Sequence, residues 1–295
     1  MQLQYFRGNK PNFGDELNTW LWPKLLPGLL DDDSSVLFLG IGSILGDQYD
    51  VKAKKVVFGT GFVPSYNNVP NVHTGDWDIF FVRGPRTARE LGIPEELGIG
   101  DSALLIRAVD LIRPKEASDI GFMPHWESLP RGNWEKSCVL AGTRLIDPTK
   151  PVNEVLGDLL GCKLLVTEAM HGAIVADALR VPWVPVLPLD GVHRQKWFDW
   201  AEALGISLDS HRLWPSSIEE AKLTLVRRRH LHRLASVLSL PAVSGLSTTA
   251  LTHLAAHRLD RMTRRPPCLS HDDTVDRATN QMLDKLMQLK AAYMV

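Results

Sequence analysis

Short apolar runs alternate with helical patterns along most of the chain. Three runs of four to six residues, each bounded by glycine or polar residues, predict buried strands near 36–40, 56–61 and 79–82. Unbroken apolar runs are typical of parallel strands that are covered on both faces. A helical segment at 88–93 separates the third run from a further predicted strand near 97–100.

A second series of the same kind follows. Its predicted strands lie at 120–125, 138–142, 164–168 and 181–186, with helices at 152–161 and 172–180. Repeated strand–helix–strand units predict doubly wound α/β layers.

The segment 112–119 separates the two series. It is charged, contains Pro114 and has no apolar period, so we interpret it as an interdomain linker. After 213–217 the pattern is helical to the end, with interruptions at 241–245 and 264–270. The predicted domains are an N-terminal Rossmann-like domain at 1–114, a C-terminal one at 115–212 and a basic helical tail at 213–295.

Composition narrows the class of protein. The 295 residues are 44% apolar and 23% charged, which excludes disordered and fibrous architectures. A net charge of −1 argues against a nucleic-acid partner. The charge is unevenly spread, because residues 211–295 hold 13 Lys+Arg against 7 Asp+Glu.

Three separated cysteines form neither a disulfide framework nor a metal clip. The start lacks the pattern of a signal peptide, and no apolar window is long enough to cross a membrane. The expectation is therefore a soluble protein of a reducing compartment. No spacing of His, Cys and carboxylates requires a metal.

The first candidate site is the cluster 12–18, between a strand-like segment and a helical one. Asn12, Gly14 and Asp15 can form the turn and cap the helix. Two interpretations stay open: a capped helix alone, or a ligand loop at the carboxyl edge of the first strand.

Glycine-rich turns follow the next two predicted strands. Gly40, Gly42 and Ser43 follow one strand and 59–61 the other, where a backbone can approach an anion closely. The third glycine of a dinucleotide-binding fingerprint is missing, which argues against a nicotinamide cofactor.

Arg83 and Arg86 stand three residues apart across a Gly-Pro turn. Their forked guanidinium groups could converge on one carboxylate or phosphate. The alternative is an ordinary pair of surface arginines. The sequence Gly100-Asp101-Ser102 repeats this placement at a strand end.

The second series supplies its own candidates. His125 follows a predicted strand and can act near neutral pH, and Arg144 is assigned to the same sheet edge. Glu168, His171 and Gly172 lie where the next strand meets a helix N-terminus. His171 there is a proton donor or phosphate ligand, with helix capping as the alternative.

A last candidate, Lys196, belongs to the segment 193–197, which brings cations and an aromatic residue to the expected cleft edge.

Together these motifs resemble the polysaccharide pyruvyl transferase family, and most of all its ketal-forming enzymes of bacterial exopolysaccharide assembly. The ordered set extends over residues 5–200 and comprises 12–18, 39–43, 59–61, 82–87, Gly100-Asp101, Pro124-His125, 146–148 and 168–173. The tail from 215 carries no such resemblance.

The resemblance implies two Rossmann-like domains with parallel sheets facing a cleft, as in GT-B glycosyltransferases. It implies transfer of pyruvate from phosphoenolpyruvate to a sugar as a cyclic ketal, with release of phosphate. Phosphoenolpyruvate is the co-substrate and no other cofactor is expected. The implied acceptor is a lipid-linked oligosaccharide of exopolysaccharide synthesis.

Residue roles follow as hypotheses. His171 is the acid or phosphate ligand, and Asp15 or Glu168 serves as base or orients the acceptor hydroxyls. Arg83 and Arg86 clamp an anionic group. The remaining expected substrate contacts are Gly14, Gly42, Ser43, His125, Arg144, Gly172 and Lys196. Some family members carry arginine where this chain has Ala169, so a cation from Arg83, Arg86, Arg144 or Lys196 is expected to replace it.

The basic tail has two interpretations: a solvated helical face, or an amphipathic helix over 222–234 that contacts an anionic membrane surface. The expected location is the cytoplasm, at the inner face of the membrane under the second interpretation. The alternatives to pyruvyl transfer are a glycosyltransferase that uses a nucleotide sugar and a non-catalytic scaffold of polysaccharide assembly.

Overall fold

Two parallel β-sheets, one in each half of the chain, organise the fold. The computed structural model describes residues 1–187, 194–227 and 241–294. The first sheet has the spatial order β1 (Gln2–Gln4), β2 (Val36–Leu39), β3 (Lys54–Phe58) and β4 (Trp77–Phe81). Helix α1 (Phe13–Leu25) follows β1, and α2 (Pro85–Leu91) follows β4. The three strands predicted from the apolar runs at 36–82 are confirmed.

The strand predicted near 97–100 is wrong. Two 3-10 helices, Glu95–Leu97 and Ser102–Ala108, flank this segment, which forms no strand. Gly98 packs so tightly on the chain that a Cβ there would lie 2.5 Å from the carbonyl carbon of Gly84. Close packing of this backbone, rather than strand pairing, accounts for the apolar and glycine pattern.

The second sheet has the order β6-β5-β7-β8-β9, and all of its strands are parallel. Its elements, in chain order, are β5 (Asp119–Met123), α3 (Trp134–Ala141), β6 (Arg144–Leu145), α4 (Val152–Leu160), β7 (Cys162–Thr167), α5 (Met170–Ala178), β8 (Trp183–Leu187), α6 (Arg194–Ala203) and β9 (His211–Arg212). The α/β class with two parallel sheets is therefore confirmed.

The predicted strand at 138–142 lies instead in α3. Trp134 and Cys138, one helical turn apart, are buried, whereas Val139 and Leu140 are exposed. Gly142 closes the helix with a left-handed φ of 64°. The apolar run was thus the end of an amphipathic helix.

The strand order of the second sheet creates a topological switch point between β5 and β7. Chain connections leave these neighbouring strands in opposite directions, which opens a crevice at their carboxyl ends. His125 follows β5, and the segment 168–172 follows β7. The fold therefore brings two of the predicted motifs to the position where open α/β sheets bind ligands.

Helix α1 fixes the glycine-rich loop after β2. The buried Asn18 amide accepts hydrogen bonds from the Ile41 backbone N–H (3.0 Å) and the Trp22 indole (2.9 Å), and donates to the Ile41 carbonyl (3.0 Å). Trp22 packs edge-on against Phe38 with ring centroids 4.9 Å apart. The aromatic core beneath the first sheet therefore holds this loop in place.

The C-terminal region is helical, with α7 (Ile218–Arg227), α8 (Pro241–Met262) and α9 (Asp272–Tyr293). The predicted interruption at 241–245 is wrong, since α8 begins there. Thr252 of α8 bonds to Asn133 beside α3 (3.1 Å), and Tyr293 of α9 donates to Asp78 of β4 (2.7 Å). The described part of the tail thus packs back on both halves.

The predicted membrane-contacting segment 222–234 is only partly covered, because 228–234 lie outside the described residues. Within the residues that the structure describes, every helix is too short or too polar to cross a membrane. Membrane contact and the three domain boundaries stay predictions.

Candidate active site

A pocket of about 570 Å³ lies between the carboxyl ends of strands from both sheets. It collects most of the residues that the sequence singled out. The predicted site residues that line it are Gly14, Asp15, Gly42, Ser43, His125, His171, Gly172 and Lys196.

The N-terminus of α1 places Asp15 in the pocket. Asn12 caps the helix by accepting from the Asp15 backbone N–H (3.3 Å), and its amide also bonds to the Asp15 carboxylate. Burial raises the pKa of Asp15, while the Asn12 bond and the positive charges of His171 and Lys196 act in the opposite direction. A carboxylate that is partly desolvated is a stronger base than one in water.

His171 lies in the first turn of α5, against α1. A Cβ built on Gly14 would lie 2.0 Å from His171 Nδ1, so only glycine lets the imidazole approach this closely. Ala169, the N-cap of α5, provides no side-chain cap. The first N–H groups of the helix are therefore available to an anion beside the imidazole.

Asp101 faces the other side of the imidazole. Its Oδ2 lies 3.6 Å from His171 Nε2, beyond hydrogen-bond distance, and both atoms are buried without a hydrogen-bond partner among the described residues. Asp101 Oδ1 accepts from the Ala103 backbone N–H (3.0 Å), which fixes the carboxylate. An aspartate held in this way can orient the ring of the histidine that faces it.

Glu168 lies beneath the pocket rather than in its lining. It is fully buried, and its Oε2 accepts the backbone N–H of His125 (3.1 Å). Burial raises the pKa of Glu168 to about 8, against the effect of the His125 bond. Its predicted role as base is therefore corrected: Glu168 supports the His125 loop.

We expect Glu168→Gln to change how stability depends on pH. Because the pKa is raised in the folded state, the wild-type protein loses stability as the pH rises from the ordinary value of 4.5 through about 8. Glutamine mimics the protonated acid, so the variant should lack this loss, which is of the order of a few kcal/mol. Urea unfolding at pH 5 and pH 8 measures it.

The exposed residue Glu90 offers a matched control. Glu90→Gln should leave the pH dependence of unfolding as in the wild type. Equal slopes for wild type and Glu168→Gln would contradict the buried, protonated state of Glu168.

Lys196 of α6 is the predicted cation that reaches the pocket. Burial, and then the positive charge of Arg83, lower the pKa of Lys196 to about 8, while Asp15, Glu127 and Asp101 oppose the shift. Arg7, which follows β1, adds a second Lys or Arg side chain to the lining within the described residues. These two are the candidates to replace the charge missing at Ala169.

The expectation that Arg83 and Arg86 clamp one anion is wrong. Arg83 is fully buried and its Nε pairs with Asp199 of α6 (2.9 Å), whereas Arg86 is exposed and its Nε pairs with Glu202 (2.7 Å). The two arginine side chains do not point in one direction, because α2 begins at Pro85, which lies between them.

Arg144 is also misplaced by the sequence. It begins β6 and pairs with Asp119 at the start of β5 (3.1 Å) and with Asp158. Because 138–142 is a helix rather than a strand, Arg144 stands at the amino ends of the strands, on the far side of the sheet from the pocket.

Several residues that line the pocket or lie behind it had no predicted role. Asp101 belonged to a motif that was noted only for its position, and Arg7 could have been found because it follows the first strand. The aromatic side chains of the lining are Tyr5, Phe6, Phe13, Tyr49, Tyr66 and Trp126. Their spacing along the chain gives no periodic signal. In the described part of the chain, no group of three His, Cys, Asp or Glu is placed to hold a metal.

Fold and pocket together define a two-sheet α/β protein that combines acid–base groups with a cation between its two halves. The family model described as polysaccharide pyruvyl transferase matches residues 9–190. The chain belongs to this family and is a polysaccharide pyruvyl transferase. The resemblance seen in the sequence motifs is thereby confirmed.

A relative from Rhizobium meliloti (strain 1021), the succinoglycan biosynthesis protein ExoV, is 38% identical over 226 residues. The match covers 76% of this chain and 71% of ExoV. Among solved structures, the wall teichoic acid polymerase TagF (H548A) gives a TM-score of 0.32 at 11% identity, over 86% of this chain and 74% of that one. A second TagF structure (H444N with CDPG) gives a TM-score of 0.28, over 86% of this chain and 73% of that one.

Proposed function

We propose that the protein transfers pyruvate from phosphoenolpyruvate to two hydroxyls of a sugar in an exopolysaccharide repeat unit, forming a cyclic ketal. The observation that carries this proposal is the assembly of Asp15, His171 and Lys196 at the uncapped N-terminus of α5. Phosphoenolpyruvate is a dianionic or trianionic substrate, and such a site offers a cation, helix N–H groups and acid–base side chains to it.

The reaction requires two proton transfers and one leaving group. The methylene carbon of phosphoenolpyruvate gains a proton and becomes a methyl group while one sugar hydroxyl attacks C2 and loses its proton. The second hydroxyl then attacks C2, the C–O bond to phosphate breaks, and phosphate leaves with the second hydroxyl proton. A base, an acid and charge stabilisation at the phosphate are therefore needed.

The pocket supplies each group. Asp15, whose pKa burial raises, takes the proton from the attacking hydroxyl. His171, oriented by Asp101, donates a proton from its pocket side, where Nδ1 lies against Gly14. Lys196 and the first N–H groups of α5 hold the phosphate, and Ser43 contributes a hydroxyl from the first half.

Ligand-dependent thermal unfolding tests the choice of donor. Phosphoenolpyruvate should raise the midpoint of unfolding of the wild-type protein, since a ligand that binds only the folded state stabilises it. Lys196→Ala should abolish this shift, and Lys163→Ala, on the exposed side of β7, should keep it. A shift with UDP- or GDP-sugars and none with phosphoenolpyruvate would favour the glycosyltransferase alternative.

The acceptor proposal follows from the family and from the size of the pocket. A volume of about 570 Å³ exceeds the needs of a three-carbon phosphate, and its aromatic lining suits the apolar face of a sugar ring. We propose a lipid-linked oligosaccharide as the acceptor. A catalytically silent scaffold would bind neither substrate in a productive way.

A further inference from the structure

We propose that Arg83 is a positioning residue: it fixes Ser43 directly and Lys196 through Asp199, on the parts of the pocket wall that come from different halves of the chain. The substrate contacts of Lys196 and Ser43 rest on the proposed function. The positions of the Arg83, Asp199, Lys196 and Ser43 side chains do not depend on that function.

Each of the three nitrogens of the Arg83 guanidinium donates a hydrogen bond within the protein. Its Nε donates to Asp199 Oδ2 (2.9 Å), Nη1 donates to Ser43 Oγ (2.5 Å), and Nη2 donates to the Phe62 carbonyl (3.4 Å). The side chain is 0% exposed. A buried guanidinium whose three nitrogens all bond within the protein acts on a substrate through its partners rather than by contact.

Asp199 carries this connection into α6. Its Oδ1 accepts the Thr87 backbone N–H (3.0 Å), and its Oδ2 accepts the Thr87 hydroxyl (2.6 Å) in addition to Arg83. Lys196 precedes Asp199 by three residues, so both lie on one face of the helix. Arg83 and Thr87 therefore hold the turn of α6 that presents Lys196 to the pocket.

Two glycines leave the space that this ion pair occupies. A Cβ on Gly61 would lie 2.2 Å from the central carbon of the Arg83 guanidinium, and a Cβ on Gly84 would lie 2.5 Å from Asp199 Oδ1. Neither glycine has a positive φ, so backbone conformation does not require them. In the Gly-Thr-Gly and Arg-Gly-Pro motifs, Gly61 and Gly84 therefore leave room for the buried pair of Arg83 and Asp199.

The charge of Arg83 reaches Lys196 as well. After burial, Arg83 is the largest influence that lowers the pKa of Lys196. Asp15, Glu127 and Asp101 act against it. The other titratable groups among the described residues of the pocket lining are Arg7, His125, His171, Tyr5, Tyr49 and Tyr66. Removing the Arg83 charge should therefore raise the pKa of Lys196, which a purely structural role would not do.

Titration of Lys196 in the substrate-free protein is the first test. Lysines are reductively methylated with ¹³C-formaldehyde, the Lys196 signal is assigned with Lys196→Arg, and its pKa is followed by NMR. In Arg83→Gln the pKa should rise above the wild-type value, and kcat/KM for phosphoenolpyruvate should fall about 100-fold, as expected for a misplaced binding group. The matched control is Arg86→Gln, which removes an exposed partner of the same helix α6 and should change neither quantity.

Arg83→Lys separates charge from positioning. It keeps the positive charge, so the pKa of Lys196 should stay low, but one ammonium cannot hold Asp199 and Ser43 in the same fork, so kcat/KM should still fall at least tenfold. A wild-type value of kcat/KM in Arg83→Lys would overturn the proposal. This test also holds if Arg83→Gln fails to fold. An unchanged Lys196 pKa in folded Arg83→Gln would overturn it too. Absence of phosphoenolpyruvate turnover in the wild type would instead refute the proposed function, since the titration needs no substrate.

Discussion

His171→Ala should abolish release of phosphate from phosphoenolpyruvate, with kcat lowered by about 10²- to 10⁴-fold, the usual contribution of a positioned acid or base. The imidazole is the acid–base side chain that stands between Asp101 and the pocket, with Nε2 3.6 Å from Asp101 Oδ2 and Nδ1 against Gly14. Among the described lining residues, the other histidine is His125, which pairs with Glu127 (3.5 Å) rather than with Asp101.

The fold should survive this change. His171 lies in the first turn of α5, where alanine is a good helix former, and its side chain retains some exposure. Circular dichroism and thermal unfolding check this point. His73→Ala, an exposed histidine outside the pocket lining, is the control and should keep wild-type turnover. Near-normal phosphate release in folded His171→Ala would remove His171 from the mechanism.

The second large effect is expected from a single methyl group. Gly14→Ala places a Cβ where His171 Nδ1 stands, at 2.0 Å, so the imidazole must move away from its position in the pocket. A displacement of about 1 Å at a reacting group costs on the order of 100-fold in rate. We therefore expect kcat/KM to fall by about that factor.

We expect the stability of Gly14→Ala to fall much less than its activity. Gly14 lies in α1, where alanine is favoured over glycine by about 0.5–1 kcal/mol, which offsets part of the steric cost. Gly157→Ala in α4 is the matched control: a Cβ there meets nothing within 4 Å, so the variant should be more stable and fully active. Steady-state kinetics and urea unfolding of both variants measure the contrast. Unchanged kcat/KM in Gly14→Ala would mean that the close approach of Gly14 and His171 has no catalytic role.

The sequence predicted the parts of this site that depend on local pattern. A strand followed by a polar or glycine-rich turn marks the carboxyl end of a parallel strand, and Gly42, His125 and His171 all follow such strands. His125 and His171 were expected near one another because parallel strands end at one edge of their sheet, and Gly42 was expected across the cleft on the other sheet. The pocket contains all three.

What the sequence could not predict depends on pairing between distant residues. Asp101 and His171 are 70 positions apart, and Arg83 pairs with Asp199 across 116 positions. In the motif that suggested an anion clamp, Arg83 instead forms a buried ion pair, because its partner Asp199 lies on α6. The prediction for Arg144 was wrong for a different reason. The apolar run 138–142 before it fits a strand and a helix equally well, and it forms the end of α3.

The most direct measurement follows the whole reaction rather than a variant. The wild-type protein is incubated with phosphoenolpyruvate and a lipid-linked oligosaccharide in ²H₂O, while released phosphate is assayed and the glycan is analysed by mass spectrometry. We predict one phosphate for each glycan that gains the mass of pyruvate less water, with one solvent deuteron in the new methyl group. Phosphate release without this mass gain, or addition of a hexose from a nucleotide sugar instead, would contradict ketal pyruvyl transfer.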